Sequence, residues 1–310
     1  MEIKRDAYLE QLKIRKDNGM IKIITGIRRC GKSFLLFVLF KKYLLESGVD
    51  NDHIIEIALD GIENEELRDP KKCYQHIKER VEDDQKYYLL LDEVQFMSRF
   101  EEVLNSLLRI SNIDVYVTGS NAKMLSSEIA TTLGGRFLIQ EVYPYSFREF
   151  LLSQDIILKT NWLYTPSLRN EVVRTFDAYF YNGGFPELIA FKDKRSWLSG
   201  LYQKIFFGDL VARYALRNSD SMSLLVKKLA ESVMQPSSYN RLKNIVSSAG
   251  ESVGVRTVID YVGYLEETWL IFSIENYAAR FAERETTRSQ SAHRSSFRPG
   301  VIAATIASAF

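Results

Sequence analysis

The stretch Ile21-Lys-Ile-Ile-Thr-Gly-Ile-Arg-Arg-Cys-Gly-Lys-Ser33 constrains this chain more than any other. Apolar Ile21 to Ile24 read as a buried strand, and Phe34-Leu-Leu-Phe-Val-Leu-Phe40 as the opening of a helix. Between them stands Gly26-x4-Gly31-Lys32-Ser33, the full P-loop pattern. Glycine lets the backbone curl so that successive N–H groups converge on one concavity, Lys32 reaches the β and γ phosphates, and Ser33 is placed to ligate Mg2+. The helix start adds its partial positive charge to the same anion site. The nucleotide-binding residues expected are therefore Gly26, Ile27, Arg28, Arg29, Cys30, Gly31, Lys32, Ser33 and Phe34, with ATP and Mg2+ as ligands.

A second stretch says what such a loop is for. Tyr87-Tyr-Leu-Leu-Leu-Asp92-Glu93 is a continuous apolar run closing on two carboxylates, as a strand buried on both faces would be. It has the form of a Walker B strand. Asp92 would hold Mg2+ through its water shell, and Glu93 would orient or deprotonate the attacking water. Transfer to a small acceptor has less use for a water-orienting carboxylate, so hydrolysis is favoured over a kinase reaction. Ile113-Asp-Val-Tyr-Val117 is the next strand and ends in Thr118-Gly-Ser-Asn121, which puts Ser120 or Asn121 near the γ phosphate if the sheet is parallel. Gly134-Gly135-Arg136 precedes the strand Phe137 to Val142, and Arg136 is a candidate for neutralising phosphate charge in its own or a neighbouring subunit.

Strands alternating with helices over residues 20 to 142 predict a parallel α/β sheet with helices on both faces, whose ligands bind at the carboxyl ends of the strands. An N-terminal helix is expected on this domain, with Tyr8, Leu9, Leu12 and Ile14 on its apolar side. The chain has 310 residues, 46% of them apolar, enough for two domains. Its net charge of +1 argues for no global attraction to nucleic acid or membrane. No apolar run approaches the roughly 20 residues of a membrane span, and the first residues lack a signal-peptide core, so a cytoplasmic address is expected. The two cysteines, Cys30 and Cys73, and the three histidines show no metal-ligand spacing. Cys30 reads as a small residue fitting the turn, with a redox-sensitive thiol as the alternative.

Five ordered motifs, Thr25 to Ser33, Leu90-Leu-Asp-Glu-Val-Gln95, Thr118 to Asn121, Leu133-Gly-Gly-Arg136 and Tyr143-Pro-Tyr-Ser-Phe-Arg-Glu-Phe150, resemble the bacterial and archaeal AAA-type P-loop ATPases (AAA_14 domain followed by a DUF4143 region). The resemblance implies that Arg28-Arg29, the Asp-Glu-Val-Gln run and the Gly-Arg are characteristic, and it strengthens Arg136 as a nucleotide-sensing or finger residue. It continues through Tyr181-Asn-Gly-Gly-Phe-Pro-Glu187, a conformational joint without chemistry of its own. It also implies a winged helix further on. The residues there read as helix 238–247, turn 250–254, helix 255–265 and strand Trp269 to Ile274. A DNA reader of that shape would use Arg256 in the major groove and Arg241 and Lys243 at phosphates. Asp260, Glu266 and Glu267 oppose that charge, and a protein-binding winged helix is the preferred alternative.

The domains expected are thus a P-loop ATPase domain at 1–143, a helical region at 144–236, a winged-helix-like unit at 237–285 and an irregular tail at 286–310. Lys is frequent early but absent from residues 244 to 310, and the family's further domain is not visible, so the tail is expected to be out of frame and the protein truncated. Two functions follow. One is an Mg2+-dependent ATPase whose hydrolysis, carried by Lys32, Asn121, Glu93 and Arg136 with Ser33 and Asp92 at the metal, moves the C-terminal region, on DNA or on a protein. The other is a slow nucleotide-gated switch binding a protein partner. An oligomer is expected if Arg136 acts between subunits.

Overall fold

The structure, a computed structural model, describes residues 3–120, 127–216, 219–231, 238–248 and 253–272. It divides into two compact units that part between Tyr143 and Pro144.

In the first unit, strands β1 (Ile21–Thr25), β2 (Ile54–Ala58), β3 (Tyr87–Asp92), β4 (Ile113–Gly119) and β5 (Phe137–Glu141) form one sheet in the order β2-β3-β4-β1-β5. Every neighbouring pair is parallel. β4 therefore lies between β1 and β3, so the loop that leaves β1 and the acids that close β3 both border the end of β4.

The alternation of side chains across a strand gives the sheet two different faces. On one, Ile21, Ile23, Ile57, Leu89, Leu91, Val115 and Val117 join Cys73 and Ile77 of helix Pro70–Arg80 and Val103, Leu104 and Leu107 of helix Phe100–Leu107 in a purely apolar core. Asp69 begins the first of those helices by accepting from the Lys71 and Lys72 amides at 3.0 Å, with Pro70 at its first position. On the other face the long helix after the phosphate loop packs Phe40 against Tyr116, ring centroids 4.5 Å apart. This helix opens as Lys32–Phe34, passes through a π-helical stretch at Leu35–Phe40 and continues as Lys41–Glu46.

That second face carries charge that the apolar strands did not announce. Lys22 of β1 and Asp114 of β4 are essentially without exposure and form an ion pair. Asp114 also accepts from the Tyr116 hydroxyl and from the Asp17 amide, each at 2.9 Å. Burial pushes the Lys22 ammonium down and its bond to Asp114 pulls it back up. The N-terminal helix Asp6–Ile14 lies on this unit too: Gln140 donates to the Tyr8 carbonyl at 2.8 Å, Arg15 to that of Ile139 at 2.9 Å, and Leu12 is fully buried. Ile14, expected on its apolar side, is instead 81% exposed, because the helix ends there.

The second unit is helical where it is described. Helix Phe147–Ser153 starts with a capping box, Ser146 and Glu149 bonding each other's amides. Helix Pro166–Asn182 stops at Gly183. The following Gly184 has a clear duty: a Cβ there would sit 2.2 Å from the Tyr145 carbonyl oxygen, and the Tyr145 amide donates to the Gly184 carbonyl at 2.7 Å. The glycine pair thus ends a helix and lets two backbones touch. Helix Lys194–Gln203 runs into a π-helical stretch at Lys204–Val211, and helices Ser219–Glu231, Tyr239–Ser248 and Val255–Glu267 follow.

The expected strand from Trp269 is corrected. Trp269 adopts a left-handed conformation (φ 62°), its amide bonds the Glu266 carbonyl and the Leu270 amide bonds that of Leu265, both at 3.0 Å. This is a Schellman helix end with tryptophan in the place usually held by glycine. Trp269 and Leu270 are buried, which is why the run is apolar; burial alone does not select a strand. Residues 273 and 274 lie outside the described residues, so the structure contains the helix pair of the expected winged helix but no following strand among the described residues.

Candidate nucleotide-binding site

The loop from Gly26 to Ser33 hangs between β1 and its helix on backbone conformations that few residues adopt. Gly26 has φ 149°, and a Cβ there would lie 2.0 Å from the Val142 carbonyl oxygen, so no side chain fits. Arg29 is left-handed at φ 62° and Gly31 at φ 98°. Ile27 and Cys30 face inward and are buried, Arg28 and Gly31 are half-buried, and Arg29 and Phe34 face outward. Lys32 is 3% exposed and its ammonium donates to the carbonyls of Gly26 (3.0 Å) and Ile27 (3.2 Å), across the mouth of the curl. Arg5 grips the loop from behind, donating to the Cys30 carbonyl at 3.1 Å and to that of Tyr143 at 2.5 Å. Burial pushes the Cys30 thiol up despite nearby Lys32 and Arg5, which keeps it protonated and favours its reading as a small filler.

Asp92 and Glu93 are tied to the end of β4 by Thr118, its last residue but one. The Thr118 hydroxyl donates to Asp92 and accepts from the Glu93 amide at 3.0 Å. Asp92 is 4% exposed; burial pushes its carboxyl up, while bonds from the Thr118 and Ser33 hydroxyls and the charge of Lys32 act the other way. Ser33 and Asp92 are therefore in direct contact. Their hard oxygens suit Mg2+, which keeps several waters and takes one or two protein ligands beside substrate phosphates. Glu93 is left-handed at φ 54°, strain of the kind found at functional sites. Gln95 donates to the Glu93 carboxylate and, at 3.1 Å, to the Ser120 hydroxyl.

The remaining candidates fall elsewhere. Asn121 lies outside the described residues, although Ser120 beside it is buried at the end of β4. Arg136 precedes β5, where the Ile21 amide donates to its carbonyl at 3.1 Å, and its exposed guanidinium donates to Asn105 at 2.7 Å. That is the amino end of the sheet. The loop leaves β1 at the other end, about 16 Å away for five residues of parallel strand, so a reach to the nucleotide of its own subunit is not what the geometry offers. Arg256 pairs with Asp260 at 3.4 Å, one turn along its helix, while Arg241 is exposed and Lys243 half-buried on the preceding helix. Thr118 and Gln95 stood in the motifs that carry the resemblance but were given no role, and Arg5 was not singled out from sequence.

A phosphate loop on a five-stranded parallel sheet, bordered by paired acids at the end of the strand beyond its neighbour, defines a P-loop ATPase fold of the AAA type. Residues 18–151 match the family model described as AAA domain (AAA_14), and residues 173–294 match a domain of unknown function, DUF8612. The chain belongs to one family with an uncharacterized protein of Haemophilus influenzae, to which it is 31% identical over 281 residues, 90% of this chain and 68% of that protein. An uncharacterized protein of Methanocaldococcus jannaschii is 28% identical over 287 residues, 90% of this chain and 62% of the relative. A Walker-type ATPase of Pyrococcus abyssi has a similar structure, with a TM-score of 0.59 at 13% identity, covering 98% of this chain and 96% of that one.

Two expectations change. The C-terminal region matches DUF8612 and not the DUF4143 region that the resemblance implied. That match runs to residue 294, into the stretch expected from 286 to be out of frame, and nothing supports truncation by a shifted frame. The chain spans 62 to 68% of the length of the curated relatives it matches. No described helix is long and apolar enough to cross a membrane.

Proposed function

We propose that this chain binds ATP with Mg2+ and hydrolyses it, and that turnover is coupled to its C-terminal helical unit. What supports the reading is the Thr118 hydroxyl, which holds Asp92 and the Glu93 backbone together beside Ser33 and Lys32. Lys32 and the loop amides would bind the β and γ phosphates. Ser33 and Asp92 would hold Mg2+, which when bound neutralises charge on the phosphates. Glu93 would orient the attacking water and take its proton.

Any role of Arg136 toward a nucleotide would need a neighbouring copy, since Arg136 stands at the amino end of β5. For the C-terminal helices a protein partner is the better-supported reading, since Asp260, Glu266 and Glu267 share the helix of Arg256 and oppose its charge. The test is ATP hydrolysis by wild type, Lys32→Ala and Glu93→Gln, with and without duplex DNA, alongside size-exclusion chromatography. Phosphate release lost in both variants, with Glu93→Gln still holding ATP, is expected for an ATPase that turns over. A Glu93→Gln variant that stays locked in an active, partner-bound form would identify a nucleotide-gated switch. Stimulation of the wild type by duplex DNA would replace the protein partner with DNA.

A further inference from the structure

The side chain of Gln95 sits where it does little for the stability of the fold. One amide nitrogen serves two acceptors, the Glu93 carboxylate and the Ser120 hydroxyl (3.1 Å). Its own carbonyl oxygen is buried and has no hydrogen-bond partner in the protein. A buried amide oxygen left unpaired is destabilising, and so is the left-handed backbone at Glu93, two residues earlier. Two unfavourable features two residues apart beside the phosphate loop point to function, since an apolar side chain would bury here without leaving a polar atom unpaired.

The geometry of the bridge says which function. Glu93 hangs from a backbone held at its amide by Thr118 and at its carbonyl by the Phe96 amide (3.1 Å), and a glutamate side chain has several rotatable bonds beyond that backbone. Gln95 removes this freedom by holding one carboxylate oxygen, and Ser120 fixes Gln95 in turn at the end of β4. The other carboxylate oxygen of Glu93 is left to act. We propose that Gln95 is a positioning residue for ATP hydrolysis, its carboxamide bridging Glu93 and Ser120 so that the Glu93 carboxylate is held in the orientation that receives the attacking water. The proposal rests on the hydrolysis reading above.

It is tested with Gln95→Met, which keeps the shape and deletes donor and acceptor, Gln95→Glu, which replaces the donor by a second carboxylate, Ser120→Ala, and the Gln95→Met/Ser120→Ala double variant. Each is compared with wild type and Lys32→Ala for kcat and KM of Mg2+-ATP hydrolysis, affinity for a fluorescent ATP analogue, and melting temperature. Expected for Gln95→Met is a kcat lower by about 10- to 100-fold, the scale of a misplaced catalytic group, with KM and analogue affinity unchanged and melting temperature equal or higher. Gln95→Glu should fall at least as far. Ser120→Ala should lose less, and the double variant no more than Gln95→Met alone, because Ser120 acts through Gln95. Wild-type turnover in Gln95→Met or Gln95→Glu overturns the proposal and leaves the hydrolysis reading standing. A parallel fall in analogue affinity and melting temperature overturns it as well, by assigning Gln95 a structural role. Wild type no faster than Lys32→Ala overturns both.

Discussion

The two ends of the sheet each bury a lysine and an aspartate, and they use them in opposite ways. At the amino end, Lys22 and Asp114 neutralise each other, and Tyr116 and the Asp17 amide take up the remaining lone pairs of the carboxylate. At the carboxyl end, Lys32 and Asp92 are 3% and 4% exposed, yet Lys32 bonds loop carbonyls and Asp92 bonds two hydroxyls. Neither group there has its charge cancelled by direct pairing with the other. Burial of charge is thus common to both ends and marks a ligand site at only one; what distinguishes them is whether the protein supplies the counter-charge.

The contrast breaks most visibly at Lys32. Replacing it with alanine should lower ATP hydrolysis by about 10²- to 10³-fold, the loss that follows removal of one preorganised donor to developing charge, with little change in urea stability. At the amino end the pattern reverses: Asp114→Ala strands Lys22 in the interior and should cost about 3–5 kcal/mol in urea unfolding, while ATP affinity of the folded fraction is kept. A combined Lys22→Met/Asp114→Leu variant should recover most of that stability, which would establish the pair as structural.

Asp92→Asn sharpens the comparison through pH. The folded carboxyl titrates above its ordinary range because burial penalises the charge. Such a group contributes stability that is complete below the unfolded value and is lost as pH rises through the folded one. Asparagine has no charge to lose, so the variant should match wild type in acid and melt a few degrees higher at neutral pH, while Mg2+-dependent hydrolysis disappears. A variant less stable at neutral pH would show that Asp92 is satisfied within the protein, as Asp114 is. The smallest effect is expected at Cys30. Burial pushes its thiol up, and that of Cys73 up to about 12, so iodoacetamide at neutral pH should label neither before unfolding, and Cys30→Ala should hydrolyse ATP near the wild-type rate.

Much of the first unit could be read along the chain because its signals are local. An apolar run buried on both faces, the Gly-x4-Gly-Lys-Ser spacing of the loop, and two acids closing a strand are contiguous patterns, and the parallel α/β architecture follows from the alternation of strands and helices. The C-terminal strand expected at Trp269 went astray for the opposite reason: the apolar run declared burial, and the conformation was decided by the helix before it, whose last carbonyls needed partners. Lys22 and Asp114 were hidden inside strands read as apolar, because a buried charge is recognisable only together with the partner that makes it tolerable.

What the sequence determined by itself was the phosphate loop, the acidic pair and the order of strands and helices that carries them. Tertiary structure decided the rest. Putting β4 between β1 and β3 brought Thr118 to Asp92 and Glu93 across 25 or 26 residues of chain, and closing the first unit brought Arg5 to Tyr143 across 138. It also set Arg136 at the end of the sheet away from the loop. The physical reason is that hydrogen bonds and ion pairs act over a few ångströms, so which groups share them is fixed by how strands pair and not by spacing along the chain.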